Sequence, residues 1–109
     1  MSRVLAWMLL CVVAAPAGAA DEFTVPPDLW DRPRSARAVL ELPAVRQAVG
    51  LYLARPASRL VIHHGTGPDP LAQAEEFRAW LMALAIDGAR ISLVSDSRQN
   101  EPLKVEVVK

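Results

Sequence analysis

The chain has 109 residues, of which 52% are hydrophobic and 22% are charged, with 12 basic and 12 acidic side chains. That length suits one small domain. The even charge balance argues against a sequence-independent binder of nucleic acid or another polyanion, because such a binder carries a basic excess or a basic stripe.

The N-terminus predicts export. Arg3 supplies a positive start, residues 4–15 form an almost uninterrupted apolar run, and Ala17-Gly18-Ala19 is a small-x-small cleavage signal. A bilayer span needs about 20 apolar residues, and this run is shorter. We therefore predict a cleaved secretory signal peptide at residues 1–19, no stable membrane span after cleavage, and a periplasmic or secreted protein. An uncleaved N-terminal anchor is the alternative.

The predicted mature chain has no cysteine. Cys11, the single cysteine, lies within the signal and follows Leu10, where a lipoprotein signal usually has a small residue. A disulfide framework and a thiolate metal site are therefore both excluded after cleavage. The mature chain of about 90 residues must be stabilised by its hydrophobic core alone, near the lower size at which such a core suffices.

Residues 20–41 predict an extended N-terminal arm, because three prolines within residues 26–33 interrupt any sustained period. Trp30 is the one large anchor of this arm. It either covers an edge of the core or is exposed as a docking residue for a partner. Residues 35–41 fit a short first strand and a helical turn equally well, because so short a run has no decisive periodicity.

Two amphipathic helices are predicted in the rest of the chain. The first begins at Pro43, carries apolar residues at helical spacing over residues 45–53, and ends before Pro56. The second begins at Asp69, an N-cap residue followed by proline, and ends at Gly88.

Three strands are predicted at residues 59–64, 90–96 and 103–108. The first is a central strand buried on both faces, and the helix that follows it predicts a right-handed parallel βαβ unit with the second. The third is predicted to pair with the second as an antiparallel hairpin. The fold class is α+β, a two-layer sandwich with two helices packed on a small mixed sheet, formed by residues 42–109, with residues 35–41 as an optional extra strand.

Five features follow one another in a recognisable order: residues 43–53 as a helix, residues 59–62 as a strand, Thr66 in the turn, residues 84–86 (Leu-Ala-Ile) and residues 90–92 (Arg-Ile-Ser). This order resembles that of the OmpA-like, peptidoglycan-associated periplasmic domain, in which the last two segments read Leu-Gly-Ile, then a basic residue, Ile and Ser. The resemblance covers about residues 43–108. It implies that the first strand of that fold is either reduced to residues 35–41 or missing.

The resemblance also implies a site. The family binds diaminopimelate of peptidoglycan with an aspartate that follows a strand-end threonine and with an arginine on the next helix. Here Thr66 takes the place of the threonine, Gly67 stands where the aspartate is expected, and Asp69 can substitute for it. The arginine falls at Gln73 when the helix is aligned from its C-terminal end, or at Arg78 when it is aligned by the letters Arg-Ala.

These departures predict a degenerate site. Recognition of a carboxylate needs a fixed guanidinium fork, so losing the acid or the arginine should weaken binding by about 2 kcal/mol or more. We predict a non-enzymatic binding or accessory domain of the cell envelope that no longer binds peptidoglycan and has an envelope protein as its partner. The predicted contact residues are His64, Thr66, Asp69, Gln73 and Arg78. The alternative is a genuine peptidoglycan-binding module that uses Asp69 and Arg78.

The adjacent histidines His63 and His64 raise the questions of metal binding and catalysis. Neighbouring strand residues point to opposite faces, so the pair cannot chelate one ion, and no third ligand stands at helical or hairpin spacing. We predict no metal and no cofactor, and a pH-sensitive contact fits better. Residues 64–67 (His-Gly-Thr-Gly) resemble the oxyanion turn of α/β-hydrolases, but the nucleophile elbow of that fold is absent from the sequence. A small hydrolase that uses His64 is therefore a less favoured alternative.

Overall fold

The computed structural model describes residues 21–98 and 100–109, so the predicted signal peptide lies outside the described residues. The elements are, in chain order, β1 (Glu22–Thr24), a first 3₁₀ turn (Pro27–Asp31), α1 (Ala36–Leu40), α2 (Pro43–Ala54), β2 (Arg59–His64), α3 (Pro68–Ala83), a second 3₁₀ turn (Gly88–Arg90), β3 (Ile91–Ser95) and β4 (Lys104–Val108). They form the predicted α+β two-layer sandwich, in which α2 and α3 pack on a four-stranded mixed sheet.

The strand order of the sheet is β1-β4-β2-β3. β2 and β3 are parallel, with Ile62 opposite Leu93, which confirms the predicted parallel pair. The predicted hairpin between β3 and β4 is wrong, because β4 lies between β1 and β2 and runs antiparallel to both. In this position β4 pairs its backbone on both sides and buries Val105 and Val107 in the core. β3 and β4 lie on either side of β2, so their axes are about two strand spacings or 10 Å apart.

β2 is central in the sheet, but the prediction that both of its faces are buried is wrong. Leu60, Ile62 and His64 point into the core, whereas the alternate residues, including His63, are only partly buried or exposed. The helices cover one face of the sheet and leave the other open to solvent. We call this second surface the open face.

The predicted extended arm is largely integrated into the fold. Residues 22–24 form the edge strand β1, in which Phe23 lies opposite Val105. Val25 and Leu29 are fully buried in the same hydrophobic cluster as the helices. The core therefore extends across the predicted domain boundary at residue 42. A three-residue strand that is soon followed by two prolines gives too short an alternation to be recognised from the sequence.

Residues 36–40 form the helix α1, which decides between the two predictions for that region. The hydroxyl of Ser35 accepts a hydrogen bond of 3.1 Å from the backbone N–H of Ala38, so Ser35 caps the helix. The first strand is therefore β1 and not the segment 35–41.

The ends of α3 differ from the prediction in an informative way. The N-cap is Gly67, and Asp69 lies inside the first turn rather than capping it. At the other end the helix stops at Ala83, before the predicted Gly88, because Ala85 adopts a left-handed conformation with φ of 77°. The N–H of Ile86 bonds to the carbonyl of Leu81 across this residue, a pairing that closes the helix and that usually has glycine at its centre.

An ion pair joins the N-terminal segment to α3. The Nε and Nη2 atoms of Arg34 donate to the two carboxylate oxygens of Glu76 at 2.6 Å and 3.1 Å. The indole Nε1 of Trp80 also donates to Glu76, at 3.0 Å. The guanidinium of Arg34 lies 5.4 Å from the centre of the Trp30 ring, within range of a cation–π interaction. This network holds the turn that carries Trp30 against the helix.

The Arg34–Glu76 contact should be measurable as a lowered pKa of Glu76. Hydrogen bonds from Arg34 and then from Trp80 hold the pKa of Glu76 below its ordinary value of 4.5. Because the folded-state pKa is the lower one, the pair stabilises the fold above the ordinary value, and this contribution is lost as the pH falls through the lowered pKa. A carboxyl titration by nuclear magnetic resonance should show the pKa of Glu76 rising towards 4.5 in Arg34→Gln.

The control for this titration is Arg46→Gln, which removes an exposed arginine from α2. The pKa of Glu76 should be the same in this variant as in the unmodified chain. An unchanged pKa in Arg34→Gln would show that the two side chains do not pair in solution.

Candidate functional site

A groove of about 450 Å³ lies where β2 ends and α3 begins. Three parts of the chain form its walls: the first 3₁₀ turn, the glycine turn with the first two turns of α3, and the loop at residues 100–103. The groove is thus formed by the N-terminal segment, the start of α3 and the loop that precedes β4.

Four of the residues predicted from the sequence meet in this groove. Thr66, Asp69 and Gln73 line it from the glycine turn and α3, and Trp30 lines it from the first 3₁₀ turn. Trp30 is partly buried and packs against the core, and it also lines the groove. The same side chain can therefore cover the core and contact a partner. Asp69 and Gln73 are four residues apart on the helix and therefore share a face.

Gly67 explains why an aspartate does not occupy that position. Its φ of 106° and ψ of 166° lie in a region that only glycine adopts without strain. An added Cβ would have ordinary space, with its nearest neighbour the Cδ of Pro70 at 3.8 Å. The backbone conformation, and not crowding, therefore disfavours an acid at Gly67, and Asp69 is the nearest acidic residue in the sequence.

Arg78 and His64 do not line the groove. The Nη2 of Arg78 donates to the carbonyl of Gly88 at 3.0 Å, near the far end of α3. Nine residues separate Asp69 from Arg78, which corresponds to about 13 Å along a helix. His64 is 5% exposed, and its Nδ1 lies 2.8 Å from the carbonyl oxygen of Gly65.

The charged side chains that line the groove are all acidic. Asp31, Asp69 and Glu101 are among its lining residues, which include no lysine or arginine within residues 21–98 and 100–109. Glu101 is partly paired, because it accepts a 2.8 Å hydrogen bond from the backbone of Arg98 and lies 3.9 Å from the Nζ of Lys104. Trp30 and several prolines supply apolar surface. The groove can therefore hold a cationic group beside an apolar one.

No family model matches the chain, and no curated protein or solved structure matches it either. Among the helices in the described part of the chain, none is both long enough and apolar enough to cross a membrane. The function is therefore inferred from the residues themselves.

A second cluster of ionisable side chains lies on the open face around His63. Its Nδ1 is 2.9 Å from both carboxylate oxygens of Asp96, which follows β3. Its Nε2 is 2.8 Å from Glu106 on β4 and 4.0 Å from Glu22 on β1. Burial lowers the pKa of His63, but the hydrogen bonds to Glu106 and Asp96 outweigh it, so that the pKa lies above its ordinary value of 6.5.

The sequence correctly predicted that His63 and His64 point to opposite faces, since His64 is buried on the core side. It did not predict the partners of His63. Glu22, Glu106 and Asp96 are 41, 43 and 33 residues away in the chain, and only the strand order brings them together. The one signal in the sequence is the alternation of β4, which places Glu106 on the face opposite Val105 and Val107.

Proposed function

We propose that this chain is an exported, non-enzymatic binding or accessory domain of the cell envelope, periplasmic or secreted, with an OmpA-like architecture. Its groove binds a cationic segment of a partner protein rather than peptidoglycan. The observation that carries this proposal is the charge of the groove, which has three acidic lining residues and, within the described residues, no basic one.

Two features of the fold support the OmpA-like part of the proposal. A first strand does exist, as β1, so the chain order of the main elements is strand, helix, strand, helix, strand, strand once the short α1 is set aside. Ala85 also adopts the left-handed conformation that favours glycine. This is the position at which the family's Leu-Gly-Ile segment has its glycine, so a backbone requirement accounts for that part of the resemblance.

The placement of the basic residues argues against diaminopimelate as the ligand. A carboxylate ligand is recognised best by an arginine fork, yet Arg78 lies about 13 Å along α3 from Asp69 and bonds to Gly88. Gln73, the other candidate, is in the groove but carries no charge. A ligand carboxylate would also meet the negative field of Asp31 and Asp69, which disfavours it.

The same charges favour a lysine or arginine from a partner. A charge-assisted hydrogen bond to Asp69 is worth about 1.5–3 kcal/mol, roughly a 10-fold or greater gain in affinity. The guanidinium of Arg34 lies over the Trp30 ring and is paired with Glu76, so the part of the ring that lines the groove is what offers apolar surface to the aliphatic part of the same side chain. An extended protein segment that carries such residues therefore fits the groove.

The environment of His64 supports a non-enzymatic role. A general base must come within about 2.6–3.2 Å of the proton that it removes. The His64 ring is almost fully buried, lies outside the groove lining, and has Nδ1 next to the Gly65 carbonyl. A hydrolase that uses this histidine would first have to move it.

The test is a titration of isotopically labelled full chain with a lysine-rich peptide and with a glutamate-rich peptide of equal length. We expect the lysine-rich peptide alone to shift backbone signals around residues 66–73 and Trp30. Asp69→Asn should weaken this binding about 10-fold. Glu41→Gln, which removes an exposed acid outside the groove, is the matched control and should leave the affinity unchanged.

A parallel pull-down with intact peptidoglycan distinguishes the alternative. Retention that free diaminopimelate competes away, and that Asp69→Asn abolishes, would mean that the groove still binds cell wall. Equal weakening of peptide binding by Glu41→Gln and Asp69→Asn would mean that the net charge of the protein, and not the groove, attracts the peptide.

A further inference from the structure

The open face holds an unusual concentration of negative charge. Glu22 and Glu106 stand directly opposite each other on β1 and β4, an arrangement that is unfavourable for two like charges. Within residues 21–98 and 100–109, the only basic side chain within 4.0 Å of either carboxylate is His63. Lys104 and Arg59 share the open face, but in the described part of the chain neither lies within 4.0 Å of these two carboxylates. At contact distance the pair would therefore be neutralised by a cation beside the imidazole, either a proton or a bound ion.

The orientation of His63 indicates where that cation would sit. Asp96 lies 2.9 Å from Nδ1, and in the tautomer that carries its proton on Nδ1 this carboxylate accepts the Nδ1–H and fixes the ring. Nε2 then faces Glu106 at 2.8 Å, and two acceptors at this distance repel each other unless a proton or a metal ion lies between them. A carboxylate that fixes the far nitrogen of a histidine is the usual outer-shell partner of a metal-binding imidazole.

We propose that Glu22, His63 and Glu106 form a binding site for a divalent transition-metal ion such as Zn²⁺. One ligand atom from each residue lies within 4.8 Å of the others. Zinc bound tetrahedrally at about 2.0–2.1 Å needs ligand atoms about 3.3 Å apart. The distances from Nε2 of 2.8 Å to Glu106 and 4.0 Å to Glu22 lie on either side of that value, so small side-chain rotations would suffice.

The donor set also defines the class of ion. One imidazole and two carboxylates suit zinc and its first-row neighbours, whereas calcium and magnesium prefer oxygen ligands alone. A doubly positive ion would balance the two glutamates. Three protein ligands leave a fourth position for water, and the partly exposed Glu22 leaves the site accessible from solvent.

Such a site would strengthen the attachment of the N-terminal segment to the sheet. β1 is only three residues long and joins the sheet through β4 alone. A metal ion held by Glu22, His63 and Glu106 would tie β1 to both β4 and β2. Because an ion that binds only the folded chain stabilises it, zinc should raise the melting temperature.

The experiment is a competition titration of Zn²⁺ between a colorimetric chelator and the full chain, expressed without a polyhistidine tag and with Cys11→Ala so that no thiolate competes. We expect one zinc per chain and a higher melting temperature with zinc. Glu22→Gln, His63→Gln and Glu106→Gln should each weaken binding at least 10-fold, and Asp96→Asn should weaken it about 10- to 100-fold. Glu75→Gln, an exposed acid on α3, should change neither quantity.

A second measurement does not depend on how the variants fold. In the unmodified chain, zinc should shift the imidazole Nε2 resonance of His63 and leave that of His64 in place. The proposal fails if zinc binding does not saturate, if His63→Gln binds zinc as well as its parent does, or if excess Mg²⁺ displaces the zinc. A zinc-induced shift at His64 alone would also overturn it.

Discussion

Leu29→Ala should lower the free energy of unfolding by about 2–5 kcal/mol. Leu29 lies on the first 3₁₀ turn, in the segment that the sequence predicted as an extended arm, yet its side chain is fully buried. Truncation removes apolar contacts and leaves a cavity, because the surrounding core residues can relax only in part. Unfolding in urea, followed by circular dichroism, gives the difference directly.

Leu53→Ala is the matched control, since it makes the same substitution on α2 at a leucine that is 70% exposed. Its effect should stay within about 0.5 kcal/mol. Similar small effects for both variants would mean that the N-terminal segment only rests on the surface. The large effect expected for Leu29 would instead show that the stable unit includes residues ahead of residue 42.

Local sequence signals predicted the elements well where their cause is local. Pro43 begins α2 as predicted, because proline fits the first turn of a helix, and β2 spans the predicted residues 59–64. Asp69 was predicted both as the N-cap of α3 and as a contact residue, but it does not cap the helix. The N-cap is Gly67, in a backbone conformation that an aspartate could adopt only with strain, and backbone angles are not apparent from the sequence.

Long-range pairing could not be predicted from these signals. The alternation of β4 shows which side chains face the core, but it does not say which strand lies beside it. A hairpin with β3 and an insertion between β1 and β2 would bury the same valines. We could therefore predict from the sequence that Thr66, Asp69 and Gln73 lie together, since they are close in the chain. The cluster of Glu22, His63 and Glu106 could not be predicted in this way.

Arg78 shows how matching a short sequence motif can misplace a site residue on a helix. Its match to the family's arginine depended on the neighbouring Ala79, but a shift of five residues along a helix changes both the face and the height of a side chain. The alignment from the C-terminal end selected Gln73, which does line the groove. Helix geometry therefore supports the alignment that leaves the groove without a guanidinium.

Phe77→Ala should destabilise the fold even more than Leu29→Ala, with a loss of about 3–5 kcal/mol in the free energy of unfolding. Among the described residues, Phe77 is the largest fully buried side chain, and it lies in the middle of α3, where the helix faces β2 and β3. Proteins have about 0.05–0.15 kcal/mol of stability per residue, or roughly 4–13 kcal/mol for a domain of this size. One truncation therefore removes a large share of the total.

Phe77→Leu provides the graded comparison. It keeps most of the apolar volume and should cost about 1–1.5 kcal/mol, so it remains folded even if the alanine variant does not. The groove should then still bind the lysine-rich peptide, because Phe77 is not among the residues that line it and leucine keeps α3 packed on the sheet. A loss below about 1 kcal/mol for Phe77→Ala would mean that α3 is loosely packed on the sheet. The groove would then have no rigid wall to hold Asp69 and Gln73 in place.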